Sequence, residues 1–123
     1  MPADVTYAWA MSAVSIGVSP ANLPVLAAQF ALLADPLRLR IVEALAREQL
    51  CTCHLIEITG AKQTTISHHL RILREVGVVV GEAQGRFTWY HLTPGAFTAA
   101  LRLMQGIAAR DESAPRLRPA CAP

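Results

Sequence analysis

"KQTTISHHLRILREVG", residues 62–77, carries the strongest local pattern in the chain. Ile66, Leu70 and Leu73 recur at helical spacing, and Gly77 supplies a stop. The spacing predicts a helix over 63–76. Stepping round from Ile66 by the helical period puts Thr64, His68 and Arg71 on the opposite face, with Ser67 beside them. Short hydrogen-bonding groups thus occupy the N-terminal half of a polar face, and a cation follows. A helix that enters the major groove of DNA needs that order, and its first N–H groups can also meet a phosphate. Gln63 suits a bidentate contact to adenine, and Thr64 or Thr65 can touch a thymine methyl. Glu75 shares the face but sits two turns further on, away from a groove. His69 is expected on the flank of the core. The alternative is a solvated polar face with no partner.

Working outward, "CHLIEITG" (53–60) predicts a short helix with Leu55 and Ile58 inward, and Gly60 supplies the turn. Two helices joined by a short glycine-containing turn read as a helix-turn-helix. Downstream, "VVVGEAQGRFTWYHL" (78–92) holds two β-rich runs around Gly81 to Gly85. That pattern predicts a hairpin with a loop of several residues. Arg86 follows Gly85 at its tip, where a cation reaches a phosphate or the minor groove. Phe87, Trp89 and Tyr90 are expected to be strand packing residues rather than base-stacking platforms. The expected fold is therefore mainly α with a small β-hairpin, a winged helix-turn-helix.

The flanks complete this domain. Asn22 can cap a helix with Pro24 in its first turn and Leu26, Phe30 and Leu33 at helical spacing. Asp35-Pro36 repeats the signal before a stripe of Leu37, Ile41, Ala44 and Leu45, running to about Arg47. Pro94-Gly95 opens a last helix with Phe97, Leu101, Met104 and Ala108 in a stripe. The domain is expected over 22–110, after an N-terminal extension at 1–21 and before a flexible, proline-bearing tail at 111–123.

A chain of 123 residues argues for one domain. Its composition is 53% hydrophobic, with a mean hydropathy of +0.34. A small domain buries proportionally little of its surface, so this surplus predicts a second copy as partner: a homodimer through the first and last helices. The net charge of +2 permits nucleic-acid binding without indicating it. The apolar stretch "YAWAMSAVSIGVSP" (7–20) has no basic residues before it and is too short to span a bilayer. A cytoplasmic protein with no membrane association is expected. No phosphate loop, thiol–base–acid set or other catalytic or cofactor motif is present, so an enzyme is not expected.

The remaining feature is "LCTCHL", residues 50–55, where Cys51, Cys53 and His54 crowd together in a chain with one other cysteine, Cys121. The spacing is one residue short of Cys-x-x-Cys-His haem attachment and of a thioredoxin-type pair. One intervening residue also makes a poor structural disulfide. A buried pair without function is the plain alternative.

"ADPLRLRIVEAL", "LCTCHL", "QTTISHHLRILREVGVV" and "GRFTWYHL" together resemble the ArsR/SmtB family of metalloid- and metal-responsive repressors, over about residues 23–110. The resemblance implies a dimeric winged helix that binds operator DNA and releases it when a metal or metalloid binds. Cys51 and Cys53 match the first two thiols of the family's arsenic motif. His54 stands where aspartate is usual, and Ile56 where the best-known version has a third cysteine. Residues 94–109 hold no His, Asp, Glu or Cys, so the family's other site, for zinc along the last helix, is not expected. The inducer implied is trivalent arsenic or antimony, with no catalytic cofactor.

Residues two apart on a regular helix point about 200° apart, so the two thiols converge only if the segment at the helix start is extended or frayed. Trivalent arsenic prefers three sulfurs. Cys121 from the tail of either subunit is the first candidate for the third place; a small-molecule thiol also fits, and His54 fits less naturally. His54 suits zinc, cadmium or nickel better, which keeps open a sensor of another soft metal. Thiol oxidation at 51 and 53, in the same fold, is a further alternative. A protein-interaction module that does not bind DNA is a third.

Overall fold

A computed structural model describes residues 22–109 and 115–121. These residues form α1 (Leu23–Leu32), α2 (Pro36–Arg47), β1 (Leu50–Cys51), α3 (Thr52–Thr59), α4 (Gln63–Glu75), β2 (Val79–Gln84), β3 (Phe87–Leu92) and α5 (Thr98–Ala108). The extension at 1–21 lies outside the described residues. Of the tail, only 115–121 is described, as exposed chain without helix or strand.

Local sequence explains most boundaries. Asp35 is extended, and its carboxylate accepts the Arg38 N–H at 3.0 Å, with Pro36 opening α2 behind it. That hydrogen bond is the main reason the Asp35 carboxyl is held below its ordinary range. Asn22 does not cap α1 as expected. Its backbone is already helical, at φ −88° and ψ −9°, and its side chain makes no cap bond. A capping side chain reaches back to the helix from an extended backbone. At the end of α4, Gly77 turns left-handed (φ 79°); Val78 N–H reaches Leu73 O and Gly77 N–H reaches Arg74 O, both at 3.0 Å. This pair of bonds closes the helix carbonyls and draws Val78 onto Leu73.

The core lies where α2, α3, α4 and the hairpin meet. Ile41, Leu55, Ile66, Leu70, Leu73 and Val78 are its fully buried side chains. Ile66, Leu70 and Leu73 sit inward, as the helical period predicts. Ile58 does not; it is 40% exposed. Thr52, Leu55, Ile56 and Thr59 form the less exposed face of α3, and residue 58 falls beside that face rather than on it.

The three strands are antiparallel in the order β1-β3-β2. The short β1 has no counterpart in the sequence expectations. The hairpin differs too: Gln84 pairs with Phe87, leaving a two-residue turn, Gly85–Arg86, rather than a longer loop. Gly85 carries the positive φ (62°) that a tight hairpin turn needs at its first central position. Gly81 belongs to the strand, opposite Tyr90; a Cβ there would sit 3.1 Å from both Thr88 Cγ2 and Tyr90 Cε1. Its glycine serves close packing, not a turn.

α1 and α5 pack on each other through Leu23, Leu26 and Ala100, with Phe30 and Leu103 alongside. Gln29 Nε2 donates to Ala96 O at 2.9 Å across the pair. The helix opens at Thr98, because Pro94–Phe97 form a turn before it. The expected stripe divides. Phe97 packs half-buried against the main core, whereas Leu101, Met104 and Ala108 face outward. α5 is apolar around most of its circumference, and α1 covers only the side carrying Ala100 and Leu103. Among the described residues, no helix is long and apolar enough to cross a membrane.

Candidate metal centre and nucleic-acid interface

The thiols converge because the chain changes conformation between them. Cys51 ends β1 with an extended backbone (φ −94°, ψ 170°) and occupies the N-cap position of α3, whereas Cys53 lies in the first turn of that helix. Their sulfurs are 2.9 Å apart. His54 Nδ1 lies 3.1 Å from the Cys51 sulfur and accepts the Cys51 backbone N–H at 3.2 Å. The donor atoms of Cys51, Cys53 and His54 all fall within 4.8 Å of one another.

Access and acidity differ along this cluster. Cys51 is buried, Cys53 exposed and His54 half-buried, so the cluster opens to solvent at Cys53. The hydrogen bond with Cys51, then burial, pushes the Cys53 thiol above its ordinary value. Ligation of a thiol displaces its proton, so a thiophilic ion held here would bind more tightly as pH rises. Two thiolates and an imidazole suit a soft or borderline ion. Cys121 is exposed in the tail and is not among the atoms gathered here.

Trp89 is the neighbour that sequence reasoning missed. It pairs with Cys51 in the sheet, and its ring lies 5.6 Å from that of His54. Alternation along β3 puts Trp89 opposite buried Tyr90, but a two-residue strand leaves no pattern to say what Trp89 meets.

The outer face of α4 is the second candidate site. Gln63, Thr64, Ser67, His68 and Arg71 are all exposed and line one open groove. Arg71 and His68 lie side by side, with a nitrogen–nitrogen distance of 3.2 Å. Thr65 is set apart from them, half-buried on the flank of the helix. Arg86 is exposed in the hairpin turn. Phe87, expected to pack, is 56% exposed beside it. On the inner flank, buried His69 accepts a hydrogen bond from Arg38 Nε at 3.2 Å, which ties α4 to α2.

A helix-turn-helix followed by a β-hairpin, with a polar outer face on the second helix, defines a winged helix-turn-helix regulator. Residues 35–80 match the family model described as bacterial regulatory protein, arsR family. A solved structure titled as a possible transcriptional regulator for arsenical resistance is 30% identical, with a TM-score of 0.59; the match covers 67% of this chain and 85% of that one. The chain belongs to the arsR family, a family of transcriptional regulators and not of enzymes.

Two curated relatives are named as transcriptional regulators of different kinds. A transcriptional repressor SmtB homolog from Synechocystis sp. is 44% identical over 63 residues, covering 51% of this chain and 48% of the relative. The cadmium resistance transcriptional regulatory protein CadC from Listeria innocua is 39% identical over 72 residues, covering 58% and 60%. The matches thus span about half the length of the first relative and three-fifths of the second.

Proposed function

We propose that this chain is a metalloid-responsive transcriptional repressor. It binds operator DNA as a homodimer and releases it when trivalent arsenic or antimony binds the thiolates of Cys51 and Cys53. The observation that carries this function is the approach of two sulfurs to 2.9 Å at the start of the first helix of the helix-turn-helix. An ion there acts directly beside the DNA-reading unit. Cys121, from either subunit, or a small thiol supplies the third sulfur.

DNA is read by Gln63, Thr64, Ser67, His68 and Arg71 in the groove, with Thr65 at its edge and Arg86 reaching the backbone or minor groove from the wing. Dimerisation runs through α1 and α5, which leave Val25, Leu101, Met104 and Ile107 exposed. The domain spans 22–110, with the segments 1–21 and 111–123 outside it.

One observation favours a second inducer class. His54 completes a compact two-sulfur, one-nitrogen set, which suits cadmium, zinc or nickel better than arsenic. Titrating arsenite and cadmium separately against the DNA complex, under reducing conditions, tests both. Release by arsenite, lost in Cys51→Ser and Cys53→Ser but kept in His54→Ala, carries the metalloid function. Release by cadmium alone, lost in His54→Ala, replaces it with the divalent sensor. No release by either ion removes both ion-sensing functions.

A further inference from the structure

The thiol cluster is joined to the wing by the sheet itself. Cys51 pairs with Trp89 of β3, and Trp89 pairs on its other side with Glu82 of β2. Residues directly opposite one another in an antiparallel ladder share a face. Cys51, Trp89 and Glu82 therefore stand on one face, and Leu50 and Tyr90, both buried in the core, on the other. The half-buried Trp89 also meets the His54 ring, with centroids 5.6 Å apart and planes at 47°. Two residues before Trp89, β3 begins at Phe87, next to the Gly85–Arg86 turn.

His54 is committed elsewhere before any ion arrives. Its Nδ1 accepts the Cys51 N–H at 3.2 Å and lies 3.1 Å from the Cys51 sulfur. A ring nitrogen offers one lone pair, so ligation through Nδ1 gives up the bond to Cys51 N–H. That bond also closes the first turn of α3. An imidazole that turned to ligate in this way would move against the indole, whose ring lies 5.6 Å away. The indole cannot retreat inward, because β3 is anchored on its core side by Tyr90.

We propose that Trp89 is a positioning residue of the thiol site and carries its occupancy to the wing, so that an ion held by Cys51, Cys53 and His54 shifts β3 and withdraws the Arg86 tip from DNA. This rests on the divalent-ion reading above, in which His54 is a ligand, and specifies how that site regulates. The signal leaves through β1 and β3 as well as through α3 and α4. Trp89 takes no part in coordination; it orients the imidazole and couples it to the hairpin.

The test uses cadmium ion as probe, under reducing conditions, with a duplex selected from random DNA by the ligand-free protein. The quantity read is the ratio of DNA affinities without and with cadmium. If the unaltered protein shows no cadmium-dependent ratio, sensing of this ion fails and the Trp89 route falls with it. If it does, Trp89→Leu is expected to reduce the ratio about tenfold, within the usual span of coupling between two sites. Ligand-free DNA affinity should stay unchanged, cadmium should still saturate the site, read from thiolate-to-metal absorbance, and Trp89→Phe should restore most of the ratio. A cadmium-dependent ratio that Trp89→Leu leaves intact overturns the route alone.

Should Trp89→Leu fail to fold, two measurements on intact chains decide. Trp9→Phe leaves Trp89 as the only tryptophan, and its emission should change saturably with cadmium. Amide exchange of the unaltered protein should change at residues 85–89 on binding. Changes confined to α3 and α4, with constant Trp89 emission, overturn the wing route.

Discussion

The recognition helix α4 and the thiol junction at residues 50–54 lie close together in the chain and depend on different information. α4 assigns its own two faces: Ile66, Leu70 and Leu73 go inward, and Thr64, His68 and Arg71 outward, by period alone. The junction has no period. Its shape comes from Leu50 pairing with Tyr90 and Cys51 with Trp89, far along the chain. The outer face of α4 can therefore change without altering the fold. The junction keeps its geometry only while the distant strand holds it.

The largest expected effect bears on the inner face of α4. Leu73→Ala removes a fully buried side chain at the centre of the core and should cost about 3 kcal/mol, read by urea unfolding. Cys51→Ser, at the junction, should cost about 1 kcal/mol or less, because serine is a good N-cap and similar in size. It should nevertheless abolish binding of a thiophilic ion. A Cys51→Ser cost equal to that of Leu73→Ala would show that the junction holds the domain together as much as the α4 core does.

Next comes the outer face. Arg71→Ala and His68→Ala should each weaken operator binding by about 1–3 kcal/mol, the usual range for a base-contacting side chain. Both residues are exposed, so unfolding stability should move by no more than about 0.5 kcal/mol. Unchanged DNA affinity in both variants would assign this face to a protein partner instead. A smaller effect again is expected at the start of α2. Asp35→Ala removes the bond to Arg38 N–H and should lower the thermal midpoint by less than Leu73→Ala does.

These contrasts mirror what was legible in the sequence. The helix-turn-helix, the Asp35 cap and the α4 core follow from local spacing and cap chemistry, and the structure keeps them. The misses lie where a distant partner decides. The two residues of β1 carry no pattern of their own. Gly81 and Gly85 look alike in sequence, but Tyr90 packing makes one a strand residue and positive φ makes the other a turn. The face that α5 buries depends on where α1 docks, which its wide apolar side does not specify. The thiol site was half legible. Helix geometry required an extended or frayed segment at the helix start, and Cys51 supplies it; the Trp89 wall came from pairing alone.

His69 joins the two kinds of position, since it lies on α4 by period but bonds to a distant helix. Burial is the main cause that lowers its pKa below the ordinary 6.5; Asp35 opposes that shift, and Arg38 and His68 reinforce it. The folded state therefore binds a proton at His69 less readily than the unfolded chain does. This neutral imidazole stabilises the fold fully above the ordinary histidine range. The stability is lost as pH falls from there through the lowered folded-state value. Protonation also removes the lone pair of Nδ1 that accepts from Arg38 Nε, loosening α4 from α2. The contribution of Asp35 has the same sign but is lost only below the carboxylate range, so the two windows separate. Thermal midpoints measured between pH 8 and pH 5 should fall in the unaltered protein and flatten in His69→Gln, which keeps a neutral acceptor. An equal fall in His69→Gln would assign the acid sensitivity to another histidine and leave the α2–α4 tie indifferent to pH.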